Sequence, residues 1–394
     1  MIEKVEVITN PSAKYDPDGV GGIINLILKR GAFEGFNGTT ALSTGQYNKN
    51  NISGNLNFRT DTWNVFSNAS YRTGERYSDG LREFDFLYFD PSDSVRYLYQ
   101  NTERTRTPKN ISFRFGGDLY PTPTSTISYT STFSKRNQNN QEIIETTRPV
   151  LSILDIKEMG QENDWDHSLS YENKFDSKDR KLNANISYGK GTENETEENI
   201  GEKEVKDHHV YNSIIASFDY EDKLWENFAL EAGFKTTLKA LDDDLFFQDG
   251  TYDYNYDEDI YALYTTLGYE INDRLGLKGG LRLEQVETKT IVSGDTTAAT
   301  SVVHFIINEA VKEGEIPEPY SQLYPSLFLN YKLTEKQQIQ FGFSKRVNRP
   351  WTRSLNPFPR EMLDTTHIRT GNPYVKPEYS DVMEINFSSN SRKF

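Results

Sequence analysis

Cysteine is absent from this chain of 394 residues, which rules out both a disulfide framework and a thiolate metal site. Histidine is scarce, with five residues, and no zinc-type spacing joins them. No stretch approaches the roughly 20 apolar residues that a membrane-spanning helix requires. Positive charge is in deficit as well. Lys and Arg number 44 against 59 Asp and Glu, a net charge of −15 that argues against a nucleic-acid partner, because phosphate binding needs a basic face. Nor does an export signal open the chain: Met1-Ile2-Glu3-Lys4 is charged and leads straight into the strand-like Val5-Glu6-Val7-Ile8 with no apolar core.

What is present is alternation. Ile111, Phe113, Phe115, Gly117 and Leu119 share one face of an extended segment, while Asn110, Ser112, Arg114, Gly116 and Asp118 share the other. The same pattern returns at Leu182 to Tyr188, Ile214 to Tyr220, Phe228 to Phe234, Leu275 to Leu283, Leu327 to Leu333 and Ile339 to Phe343. A soluble sandwich could show this too, so the connections decide. Short links read as Thr60-Asp61-Thr62, Pro121-Thr122-Pro123, Asp176-Ser177-Lys178, Glu221-Asp222-Lys223, Asn272-Asp273 and Thr334-Glu335. Long ones lie between them, at 76–108, 136–163, 192–207, 240–257, 290–320 and 348–378. Short turns on one rim and long loops on the other are what outer-membrane barrels place at their periplasmic and extracellular ends. A sandwich has no reason to keep that parity. Mean hydropathy stays well below zero because only alternate residues would meet lipid, and the aromatic content of 13%, mostly Tyr and Phe, suits interfacial girdles.

The two ends carry more specific signals. The opening runs Ile2-Glu3-Lys4-Val5-Glu6-Val7-Ile8-Thr9-Asn10-Pro11-Ser12-Ala13-Lys14-Tyr15, then Asp18-Gly19, Gly21-Gly22-Ile23-Ile24-Asn25 and a basic Lys29-Arg30. This strand, Pro-Ser-Ala-x-Tyr turn, glycine pair and Ile-Asn strand resemble the last part of the plug domain of TonB-dependent outer-membrane receptors. Near the other end, Arg346, Asn348-Arg349-Pro350, Asn356-Pro357, Gly371-Asn372-Pro373 and Pro377-Glu378 resemble a barrel segment of the same receptors. In that segment an Arg-Pro strand end leads into a long loop closed by Gly-Asn-Pro.

The resemblance implies an all-β fold: the C-terminal part of a plug over residues 1–31, followed by an antiparallel transmembrane β-barrel over residues 32–394. About fourteen strands are legible, whereas plugged transporters have about 22. The expectation is therefore an incomplete barrel, the first two-thirds of one, with the export signal, TonB box and most of the plug lying upstream. Unpaired backbone groups at an open edge cost several kcal/mol each in lipid. The sheet is expected to be curved and open, with first and last strands apart.

Function follows from the same resemblance. It implies an outer-membrane receptor for energised uptake of a nutrient ligand, with outer-membrane lipid and the inner-membrane TonB complex as partners, no enzyme activity and no cofactor. The ligand itself is not legible, and a surface lipoprotein partner is left open. A barrel serving as adhesin or passive channel is the alternative. An outer-membrane hydrolase is disfavoured, because in Asp166-His167-Ser168 neighbouring side chains face opposite sides of a strand. His208-His209 diverge for the same reason and show no evident third ligand, so no metal site is assigned. Asp253-Tyr254-Asn255-Tyr256-Asp257 has the opening spacing of a calcium loop, but Glu258 stands where glycine is required. By parity Arg114, Asp118, Glu172, Asp219, Glu231, Lys235, Lys278, Arg282, Glu284, Lys332 and Arg346 face the lumen. Residues 77–101 and 249–257 read as Tyr- and Asn-rich ligand-contact loops.

Overall fold

Side chains that alternate in polarity leave every backbone N–H and C=O free for neighbouring strands, and the described residues of this chain form such ladders over most of their length. The computed structural model describes residues 2–8, 12–19, 23–28, 34–85, 97–148, 151–175, 180–199, 203–247, 250–294, 319–358 and 369–389. Strands β1 (Ile2–Ile8) and β2 (Ile23–Leu28) pair antiparallel as a two-stranded sheet of their own. The main sheet begins with β3 (Gly35–Gly45), β4 (Lys49–Arg59), β5 (Trp63–Thr73) and β6 (Arg76–Asp85). It continues through β7 (Tyr97–Thr122), β8 (Ser125–Arg148), β9 (Ser152–Lys174), β10 (Lys181–Asn199) and β11 (Lys203–Trp225). It ends with β12 (Phe228–Phe247), β13 (Gly250–Asn272), β14 (Leu275–Gly294), β15 (Tyr320–Thr334), β16 (Gln337–Asn348), a one-turn helix α1 (Thr352–Leu355) and β17 (Glu378–Ser389).

These form one 15-stranded antiparallel sheet in strict sequence order. Both β5 and β6 lie along β7, β5 against its lower half (Trp63↔Leu119) and β6 against its upper half (Arg76↔Arg106), so together they make a single stave. Among the described residues extensive strand contacts occur only between ladder neighbours, and no second layer stacks on the first. The sheet is open: among the described residues β3 and β17 do not meet.

The faces fall as the alternation requires. On β13, Tyr261, Leu263, Leu267, Tyr269 and Ile271 are exposed, while Tyr252, Tyr254, Ile260, Ala262 and Tyr264 are buried on the opposite face. On β14, Leu277, Leu281 and Leu283 point out, and Arg282, Glu284 and Val286 are buried inside. A greasy outer band of this kind is stable only in lipid. Leu267→Arg, near the middle of the band, should cost about 2–4 kcal/mol of folding stability, read as a lower urea midpoint for the protein in lipid vesicles. An Arg on the inner face at Thr266 would not bear that penalty.

Several connections differ from the sequence reading. The strands run far past the lipid band, so the links expected at 136–163, 192–207 and 240–257 shrink to the few residues after Arg148, Asn199 and Phe247. Of the stretch 249–257, residues 250–257 therefore belong to β13 and not to a loop, since Tyr and Thr favour a pleated, half-buried surface, and Asp249 lies outside the described residues. The turn expected at Glu221-Asp222-Lys223 lies at Glu226-Asn227, because β11 continues to Trp225. The outer link between β3 and β4 is short, with Tyr47 and Asn48 in the left-handed region (φ 61° and 53°). His167 sits well inside β9, in a ring ladder with Tyr129, Trp165 and Tyr188 on the outer face.

Candidate functional site

The inner face of the sheet carries two polar sites, one above the other. The lower one seats residues 12–19. A turn closed by Tyr15 N–H donating to the Ser12 carbonyl (3.0 Å) presents Lys14 to Glu221 (2.6 Å) and Asp16 to Lys235 and Arg282, the latter at 2.8 Å. Asp18 meets Arg349 at 2.6 Å, and Ser12 donates to Glu231 (3.3 Å), which also holds Lys278 (2.7 Å). Backbone bonds complete the seat. Val347 N–H donates to Pro17 (3.1 Å), Gly19 N–H donates to Val347 (3.0 Å), and Arg346 reaches the Gly19 carbonyl at 3.3 Å. Gly19 has φ 83°, a conformation that side-chain-bearing residues resist.

Glu284 ties the seat together. Its carboxylate, 1% exposed, accepts from Arg282 Nε (2.7 Å) and Arg349 Nη2 (2.5 Å), while those two cations hold Asp16 and Asp18 in turn. The alternation across Asp16, Arg282, Glu284, Arg349 and Asp18 offsets charge by charge what burial would otherwise penalise. Of the lumen residues read from parity, Glu231, Lys235, Arg282 and Arg346 touch residues 12–19 directly.

The upper site is a chamber of about 1030 Å³ at the rim where strands outrun the lipid band. One wall is acidic: Glu158, Glu193, Glu195, Glu197, Asp207 and Asp243 project from β9 to β12. The other carries Arg82, Arg104, Arg106 and Arg136 from β6 to β8, with Arg353 and Arg369 from the connection between β16 and β17. Arg136 pairs with Glu162 (3.3 Å), and Arg104 with Glu142. Within the acidic wall, His209 lies between Asp207 (Nε2 to Oδ2, 3.0 Å) and Asp243 (Nδ1 to Oδ1, 3.1 Å). Burial alone would depress the imidazole pKa, but the two carboxylates win and raise it to about 10. Burial, with the neighbouring Asp207 carboxylate, pushes Asp243 up to about 6. Burial and the surrounding carboxylates of Glu158, Glu197, Glu193 and Asp207 push Glu195 up to about 8.

The connection after β16 roofs this chamber. Asn356 donates through its side-chain amide to Asp243 and accepts from Phe358 N–H (2.8 Å), and Phe358 packs edge-on against Tyr252 and Tyr254. The returning chain lies on it: Gly371 N–H donates to the Asn356 carbonyl (3.0 Å), Asn372 N–H to Ser354 (2.8 Å), and Thr370 to Pro357 (2.6 Å). Gly371 is obligatory for that approach, since a Cβ there would stand 2.3 Å from the Asn356 carbonyl oxygen.

The residues singled out from the sequence therefore separate into groups. Ser12, Tyr15 and Gly19 belong to the lower seat with Arg346 and Arg349. Asn356, Pro357, Gly371 and Asn372 build the roof, with Pro373 buried beside them. Asn348 and Glu378 are register partners at the strand ends, flanked by Pro350 and Pro377, and Asn25 lies on β2 opposite Glu6. Asn10, Pro11 and Gly22 lie outside the described residues. The Asp207, His209 and Asp243 grouping was not found from sequence, because Asp243 comes from the next strand. His208, as expected of a neighbour, points elsewhere, to Asn194 at 2.7 Å.

The outer membrane protein beta-barrel family model matches residues 161–394. No curated protein sequence matches. Among solved structures, the alcaligin outer membrane receptor FauA from Bordetella pertussis aligns with a TM-score of 0.60 at 13% identity, covering 99% of this chain and 54% of that one. The copper transporter OprC gives 0.57 at 11% identity, with 96% and 56% covered. The ferric yersiniabactin uptake receptor FyuA from Yersinia pestis gives 0.53 at 12%, with 88% and 52% covered. The chain spans about half the length of these proteins. At such identities the likeness is one of fold alone, that of an outer-membrane β-barrel.

Proposed function

Because this chain belongs to the outer membrane protein beta-barrel family, whose place is the Gram-negative outer membrane, we propose that it serves as a receptor and importer of a nutrient ligand. In this reading the ligand is caught in the charged upper chamber, while residues 1–31, acting as the end of a plug, obstruct the lumen below it. Force from the inner-membrane TonB complex then frees the plug, and no covalent step is needed.

The observation that carries the reading is the ion-paired seat of residues 12–19. A passive pore has no use for a segment that fills its lumen through Lys14, Asp16 and Asp18, whereas an importer needs a stopper held by contacts that can be broken without unfolding the wall. Charged contacts suit this, since each can exchange its partner for water once the segment moves.

Planar-bilayer conductance of the intact outer-membrane protein tests the proposal without knowledge of the ligand. The unaltered protein should be closed. Reversing the charge of Asp16 and Asp18 together (Asp16→Lys, Asp18→Lys) should produce open events. Steady conductance of the unaltered protein would make it a passive channel and overturn the reading.

A further inference from the structure

We propose that Asp207, His209 and Asp243 form a binding site for a divalent transition-metal ion of the zinc type on the wall of the upper chamber. Each residue offers one ligand atom, and these atoms lie within 4.8 Å of one another. Bonds of about 2.0–2.2 Å from one ion to an imidazole nitrogen and carboxylate oxygens place such donors some 3–3.6 Å apart. The contact of His209 Nδ1 with Asp243, 3.1 Å, already falls at that spacing, whereas Asp207 faces the other ring nitrogen, so its carboxylate must swing round and the imidazole must release its proton for the set to gather on one ion.

Two further observations point to a ligand here. Asp243 has a side chain only 1% exposed, and among the described residues its Oδ1 has no partner but the imidazole 3.1 Å away, a contact without regular hydrogen-bond geometry. The Asn356 amide meanwhile holds the other oxygen, fixing the carboxylate as an outer hydrogen bond fixes a metal ligand. Directly across the ladder from Asp243 stands Tyr254, fully buried, with a phenol oxygen that has no hydrogen-bond partner among the described residues. That hydroxyl is free to donate to a carboxylate ligand or to a water on the ion.

The donor set selects the ion. One imidazole with two carboxylates suits zinc and its neighbours, leaving a coordination position open to water or to a ligand arriving in the chamber. Calcium, which takes six to eight oxygens, finds too few here. The adjoining carboxylates of Glu158, Glu195 and Glu197 add attraction for a cation without completing an oxygen cage.

The test is calorimetric titration of Zn2+ into the intact protein in detergent after chelator treatment, with heat-modifiable gel mobility as the check on folding. One Zn2+ should bind, with affinity falling at least tenfold in His209→Gln and unchanged in His208→Gln, whose imidazole turns away. Millimolar Ca2+ should not compete. Equal affinity in the two histidine variants, displacement by Ca2+, or no Zn2+ binding to folded protein would each overturn the assignment. The site stands on its own geometry, and its outcome is separate from the conductance test of import.

Discussion

Replacing Arg282 with methionine is expected to free residues 12–19 from the sheet and to lower the stability of the intact protein by about 3 kcal/mol, within the range found when one partner of a buried ion pair is removed. The guanidinium is 2% exposed, faces the Tyr264 ring at 5.5 Å, and bridges Asp16 and Glu284. Methionine keeps much of the volume and removes the charge. Glu284 is then left with Arg349 alone, and Asp16 with Lys235 alone, which places the loss at the lower end of the range. The urea midpoint should fall, and proteolysis should reach the peptide bonds around Lys14 in the variant well before the parent. In a double-mutant cycle with Asp16→Asn the two losses should not add, because both variants break the same contact. Full additivity would show that the segment is held by something other than this pair.

The second large effect belongs to the roof of the chamber. Phe358→Ala should cost about 3–5 kcal/mol, the usual range for deleting a buried aromatic ring. Its ring is 3% exposed and shares a cluster with Leu245, Phe247, Tyr252, Tyr254 and Leu355. The penalty should be local. Residues 352–358 would lift off β13 while the lipid-facing band keeps its ladders, so hydrogen exchange should quicken in β13 above Ile260 and stay slow below it. A uniform rise in exchange along β13 would mean that the roof is coupled to the whole wall.

Much of this architecture can be read from the chain, for a definable reason. Side chains such as Ile111, Phe113 and Phe115 report a face directly, because in a strand the face of a residue depends only on its parity. Lumen-facing Glu231, Lys235, Arg282 and Arg346 were found in the same way, and they meet residues 12–19. What failed was the location of strand ends. Glu221-Asp222-Lys223 has the composition of a turn, yet Glu221 is polar because it receives Lys14, and Asp222 because it receives Arg180 and the Tyr220 hydroxyl. Likewise 249–257 has the polarity of a loop, but its tyrosines are wanted beneath Phe358. The His209 and Asp243 contact depends on the register between two strands, which no local pattern encodes.

The long strands have a consequence for how a solute first meets this protein. At about 3.4 Å per residue, the 26 residues of β7 extend roughly 85 Å along the chain, or about 60 Å upright at a tilt near 45°, against an apolar band of about 25 Å. The wall therefore stands as a turret tens of ångströms proud of the lipid. Molecules drifting in from the medium would be sorted by sign between an arginine parapet and a carboxylate one while still far from the bilayer, and capture would weaken as added salt blurs that distinction.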